Sequence, residues 1–266
     1  MKYSFMSFSC PELTLGEMLS LAKGFGYDGI EPRAGSGHKH GVELDTDADA
    51  RKTIRQQAED AGVALGCVAT SCKYADPKTL DEQIAQTRLY IDLAADVGAP
   101  RLRVFGGLLG ENVTREQATE QIAHALRSVA DHATERGVAV CMETHDDWCN
   151  PNHVAEVIKR VDKPSIAVNW DIMHPIRRGG ATMEGAYQTL KPWIKHVHFH
   201  DGVVHGDKTE LAPIGDGIID HRCAVRLLKA DGYDGFLSGE WINWSDAYDI
   251  HLPRELATMK QYESEA

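Results

Sequence analysis

No stretch of this 266-residue chain stays apolar long enough to cross a bilayer, so a membrane-spanning helix is not expected. The opening "MKYSFMSFSCPEL" carries polar residues and an early proline and does not read as a secretory signal. No two of the six cysteines (10, 67, 72, 141, 149 and 223) form a CxxC pair. With no such signal they are expected to be reduced thiols used for packing in a cytoplasmic protein. Positive charge is scarce. There are 28 Lys and Arg against 40 Asp and Glu, a net charge of −12, which argues against nucleic acid as a partner. A GxxxxGK[ST] phosphate loop is missing. So is a glycine-rich turn after the first strand, where "SFSCPEL" stands; an open doubly wound sheet usually carries one. With no linker or low-complexity tract, residues 1–266 read as a single domain.

What is present is an eightfold alternation of short apolar runs and amphipathic helices. The strands are expected at 3–8, 28–33, 63–71, 101–107, 138–144, 165–171, 194–200 and 235–241. The helices are expected at 14–26, 48–61, 81–97, 114–136, 152–161, 182–191, 220–230 and 253–263. Gly26, Gly62, Gly98, Gly137 and Gly232 sit where left-handed helix ends belong. Thr14 with Glu17 and Thr114 with Glu116 fit helix N-caps. Eight β/α units in about 260 residues match the α/β class and a (β/α)8 TIM barrel.

In such a barrel the chemistry lies at the C-terminal ends of the strands. The polar residues there are Glu31 and Arg33, Ser71 and Lys73, Arg103, Glu143 and His145, Asp171 and His174, His198, His200 and Asp201, and Glu240. The last four strands each end in a potential metal ligand: Glu143, Asp171, His198 and Glu240. Three carboxylates converging without a cation would repel one another, and a divalent ion removes that conflict. Three oxygens and one imidazole nitrogen suit Mn²⁺ first, with Mg²⁺, Co²⁺ or Zn²⁺ as alternatives. In "IKHVHFHDG" (194–202), His196, His198 and His200 share one strand face. His196 reads as a satisfied interior histidine. Trp148, Trp241 and Trp244 could wall a sugar pocket, and Arg33, Lys73 and Arg103 could meet an anionic group or pair with neighbouring acids such as Glu31. The loop "GSGHKHGVE" (35–43) could close over the site with His38 or His40, or be a mobile surface loop.

The segments "YDGIEPR", "VCMETH", "VNWDIMHP", "HVHFHDG", "PIGDGIID" and "SGEW" resemble the xylose isomerase-like barrels, and more narrowly their sugar isomerase/epimerase branch. That branch includes ketose 3-epimerases, hydroxypyruvate isomerases and inosose dehydratases. The resemblance implies one divalent metal held by Glu143, Asp171, His198 and Glu240. It takes His198 as the ligand because it lies three residues before Asp201. It implies that Glu143 and Glu240 double as base and acid on two faces of a sugar or cyclitol, and that His174 binds a substrate hydroxyl. Cys149 and Val204 depart from the ketose 3-epimerase pattern, which there has glutamate and arginine. His200 stands where dehydratase-like members often have lysine, which keeps a lyase reaction in view. Thr209 and Leu211 replace the Asp-x-His pair of the family's DNA-cleaving branch. The expectation is therefore a metal-dependent isomerase or epimerase acting by proton transfer, with a lyase as alternative and a non-catalytic sugar-binding barrel as the reading from another class. A homo-oligomer is compatible with it.

Overall fold

A strand rich in Val, Ile and Leu needs cover on both faces, and alternate residues go to opposite sides. That rule produces two interiors in this protein. The structure is a computed structural model and describes residues 1–206 and 208–266. Its strands are β1 (Lys2–Met6), β2 (Gly29–Glu31), β3 (Ala64–Leu65), β4 (Val68–Lys73), β5 (Arg101–Phe105), β6 (Ala139–Glu143), β7 (Ile166–Asp171), β8 (Ile194–Phe199), β9 (Asp201–His205), β10 (Lys208–Ala212) and β11 (Phe236–Gly239). Nine of them form one sheet in the order β3-β2-β1-β11-β8-β7-β6-β5-β4, every neighbouring pair parallel. β3 and β4 belong to one run interrupted at Gly66 and Cys67, and Arg33 bridges Ala69 to close the ring. The result is the expected TIM barrel.

The helices α1 (Leu15–Phe25), α2 (Ala48–Ala61), α3 (Leu80–Asp96), α4 (Arg115–Arg136), α5 (Pro151–Val161), α6 (His174–Arg177), α7 (Met183–Leu190), α8 (His221–Ala230) and α9 (Tyr248–Glu265) accompany the strands. Val140, Met142, Val168, Trp170, Val197 and Phe199 join the apolar core with Ile122, Leu126, Val154 and Ile158 of α4 and α5. The residues between them on the strands, including Glu143, Asn169, Asp171, His196 and His198, are equally buried but polar. All six cysteines are free and buried. Among the described residues no helix is long and apolar enough to cross a membrane.

The five glycines expected at helix ends all have positive φ. Thr14 and Glu17 form a reciprocal N-cap. At α4 the partner of Thr114 is Gln117, not Glu116, because the third helical position is the one whose side chain reaches back to the cap. α9 starts five residues before its expected boundary, with Pro253 inside its sequence range. The β9–β10 hairpin and the short α6 were not expected, since neither is long enough to show a period.

The β8–α8 connection is organised by one carboxylate. Asp201 Oδ1 accepts from the N–H groups of Gly202 (2.9 Å) and Ile219 (3.1 Å), and Oδ2 from Gly215 (3.0 Å) and Gly217 (3.2 Å). Gly217 is required by this approach, because a Cβ there would lie 2.1 Å from Asp201 Oδ1. Asp201→Ala is expected to lower stability by about 3 kcal/mol, since it strands buried N–H donors. Urea unfolding measures the loss, and hydrogen exchange should show the amides of 215–219 losing protection first. Unchanged protection there would contradict this role.

Candidate active site and metal centre

The mouth is built by parity. On β8 and just past its end, residues 196, 198 and 200 point inward because Val197 and Phe199 belong to the outer core. On β7, Asn169 and Asp171 share a face, and on β6 the inward position at the strand end is Glu143. β11 leads directly into Glu240, whose N–H bonds Phe199 O (3.1 Å). The ligand atoms of Glu143, Asp171, His198 and Glu240 lie within 4.8 Å of one another, and all four residues are buried.

His198 Nδ1 stands 3.2 Å from Glu143 Oε1 and 3.4 Å from Glu240 Oε2. Its Nε2 stands 3.1 Å from Glu31 Oε1. Burial disfavours an imidazolium, but these three carboxylates override it and hold the His198 pKa well above its ordinary value. Glu31 also pairs with His196 Nε2 at 2.7 Å. Burial opposes ionisation of Glu31, yet the two histidines hold its carboxyl well below the usual range. His196 itself is pushed down by burial. Burial likewise raises Glu240, and His198, Arg103 and His200 outweigh it to bring the group to about 2.

Asp171 is held by its own backbone. Oδ1 accepts from the N–H groups of Met173 (2.8 Å) and His174 (2.9 Å), and Oδ2 lies 2.9 Å from His200 Nε2. Against burial, His174, His200 and these bonds keep its carboxyl below the usual range. His200 is raised because Asp171 overcomes its burial, whereas burial lowers His174. A row of edge-to-face rings runs from His145 to His174 (4.5 Å between centroids) and on to His200 (5.5 Å). His145 Nδ1 lies 2.9 Å from Asp146 Oδ1. Burial would lower it, but that bond and the charge of Glu143 raise it to about 9.

Arg103 Nε lies 3.1 Å from Glu143 Oε2, and its guanidinium covers Phe105 at 4.1 Å. Arg33 does not pair with Glu31; it donates to Ala34 O and Ser71 Oγ. Burial and the neighbouring Arg103 bring it down to about 10. Lys73 is exposed at the end of β4 and near enough to Asp146 to help lower that group.

Two expected pocket walls are placed elsewhere. Trp148 and Trp241 are 0% and 1% exposed, so neither offers a face to a substrate in this conformation. Trp148 spends its Nε1–H on Gly107 O (3.0 Å) under the Arg115 guanidinium. Trp241 folds back over Gly239 and packs edge-on against Phe199. Trp244 stacks behind it, beneath Arg254. The 35–43 loop is tied down. Ser7 Oγ pairs with His38 Nδ1 at 2.8 Å, and His40 uses both nitrogens on the backbone of Arg33 and Val42. Neither histidine joins the carboxylate cluster. A groove of about 610 Å³ lies at the other end of the barrel, among Lys2, Asp28, Arg55, Arg101 and Phe236, and holds none of these groups.

Glu31, His145 and Asn169 were visible at or near strand ends but were not selected. Their signal was parity: Asn169 lies two residues before Asp171, and its side-chain nitrogen sits 3.1 Å from His198 Nδ1.

A closed parallel barrel with acids and imidazoles gathered at the C-terminal strand ends is the architecture of the TIM-barrel enzymes. The chain belongs to the xylose isomerase-like TIM barrel family, whose profile matches residues 19–261. It is 23% identical over 286 residues to the 3-dehydroshikimate dehydratase of Bacillus anthracis, covering 94% of both chains. Among solved structures, a D-psicose 3-epimerase in the presence of D-fructose superposes with a TM-score of 0.79 at 17% identity, over 99% of both chains. The IolI protein, with a bound zinc atom, superposes at 0.81 and 18% identity, over 100% of this chain and 97% of the other.

The raised histidines give a signed pH dependence. His145, His198 and His200 stabilise the metal-free fold fully below the ordinary histidine pKa near 6.5, and lose that contribution as pH rises through their folded values, about 9 for His145. Chelator-treated protein should therefore show a falling Tm from pH 6.5 to 9 by scanning calorimetry. A flat or rising Tm contradicts the charge arrangement.

Proposed function

We propose that this protein is a divalent-metal-dependent isomerase or epimerase. Its substrate is a small polyhydroxylated carbonyl compound, a sugar or a cyclitol. One observation carries the reading: the convergence of Glu143, Asp171, His198 and Glu240 within 4.8 Å, inside the barrel. Glu143 Oε2 and Asp171 Oδ2 are buried beside Arg103 Nε (3.1 Å) and His200 Nε2 (2.9 Å), and each carboxylate oxygen keeps a further lone pair that suits an ion. Three carboxylates and one imidazole fit Mn²⁺, Mg²⁺, Co²⁺ or Zn²⁺. When bound, such an ion supplies Lewis-acid polarisation of a substrate carbonyl and compensates the buried negative charge.

The chain supplies the proton transfer. Glu143 and Glu240 come from different strands and approach His198 Nδ1 from 3.2 and 3.4 Å. One takes a proton from the carbon next to the carbonyl, and the other delivers a solvent-derived proton to the opposite face of the resulting enediolate. Arg103 fixes the direction of Glu143 Oε2. Among the described residues His174 Nδ1 has no hydrogen-bond partner, which leaves it for a substrate hydroxyl, and His200 is steadied by Asp171.

A lyase on the same site is the second reading. The dehydratase relative aligned over 94% of both chains favours it. So do Arg33, which suits a carboxylate-bearing keto substrate, and His145, kept protonated by Asp146 as a donor to a departing hydroxyl.

Purified protein should hold about one divalent ion per chain by metal analysis. His198→Ala should lose it and His196→Ala should keep it. Full retention in His198→Ala removes the ligand assignment. Keto- and aldo-sugars, inososes and keto acids, screened with Mn²⁺ in D₂O, should give product with deuterium at the carbon next to the carbonyl. A dehydrated or unsaturated product moves the assignment to the lyase. Turnover with the substrate hydrogen carried across intact opposes both. Glu143→Gln and Glu240→Gln should each lower turnover by roughly 100-fold, the scale of a lost general base.

A further inference from the structure

Glu31 lies beside the proposed ligand set, fully buried and in contact with one member of it. β2 and β8 are not neighbours; β1 and β11 lie between them in the ring. The Glu31 carboxylate therefore reaches across the barrel interior to the inward face of β8. There it is bracketed by two imidazoles, His196 Nε2 at 2.7 Å from Oε2 and His198 Nε2 at 3.1 Å from Oε1. The His198 ring turns its other nitrogen, Nδ1, toward Glu143 Oε1 and Glu240 Oε2.

An imidazole that binds a cation does so through one nitrogen, and the hydrogen bond at the other decides which. We infer that Glu31 is a positioning residue for the metal centre: it accepts the Nε2–H of His198 and so presents the Nδ1 lone pair to the ion. His196 steadies Glu31 by donating its own Nε2–H to Oε2. Without that carboxylate the His198 ring loses the acceptor at Nε2 that selects its tautomer, and an N–H pointed at Glu143 and Glu240 competes with the cation for the same oxygens. The two histidines on β8 thus share one acceptor from across the barrel, while His200, just past the strand, is taken by Asp171.

The inference rests on the metal reading above, and its test separates the two. Wild-type protein, Glu31→Gln and His196→Gln are stripped and titrated with Zn²⁺ against a chromophoric chelator. Near-UV circular dichroism checks that each variant is folded. Glu31→Gln should bind about 10- to 100-fold more weakly, the usual effect of losing the group that orients a ligating histidine. His196→Gln leaves the Glu31–His198 contact and should weaken binding much less. Independently of any variant, long-range ¹H–¹⁵N correlation on the Zn²⁺-loaded wild type should show His198 bound through Nδ1 and protonated at Nε2. Binding through Nε2, or equal affinity in folded Glu31→Gln and wild type, overturns the inference alone. A wild-type chain that takes up no divalent ion overturns the metal reading with it.

Discussion

Carboxylates inside a barrel are tolerable only if each has a compensating partner, and this requirement governs how the interior is arranged. Glu31, Glu143, Asp171 and Glu240 are all buried. Glu31 takes two histidines, Glu143 takes Arg103 and His198, Asp171 takes His200 and two backbone N–H groups, and Glu240 takes His198. His198 appears three times in that account. A single imidazolium facing three carboxylates is where a doubly charged ion would improve the balance most, which is why the proposed metal site centres on His198.

Asp201 solves the problem differently. Its oxygens are saturated by four backbone N–H groups rather than by a cation, and the motif "PIGDGIID" is the loop that supplies three of them. Glu255 adds a second anchor to that loop from α9 by accepting Ile214 N–H at 2.7 Å. The acid that follows the β8 histidines is thus a scaffold element.

Period and parity made most of this readable in advance. The alternation of apolar runs with helices marked the eight staves. Strand ends marked the four residues that the structure brings within 4.8 Å. What escaped were long-range relations. The Glu31–His196 contact spans 165 positions and leaves no local pattern. Trp148 and Trp241 looked like pocket walls because they follow strand ends, but the direction of a side chain there depends on backbone turns that composition does not encode. The antiparallel hairpin was hidden because five-residue strands at a loop are too short to set a period.

The ring is completed by β1 lying against β11, with Lys2 opposite Phe236. During synthesis the first strand therefore waits for nearly the whole chain before its outer edge is paired. Until then the half-made sheet exposes hydrogen-bonding edges at both ends, the form most open to pairing with another chain. Glu240, one of the two residues proposed to move protons, is delivered by that same closing strand. The last stave to arrive thus both seals the cylinder and completes the cluster at its mouth.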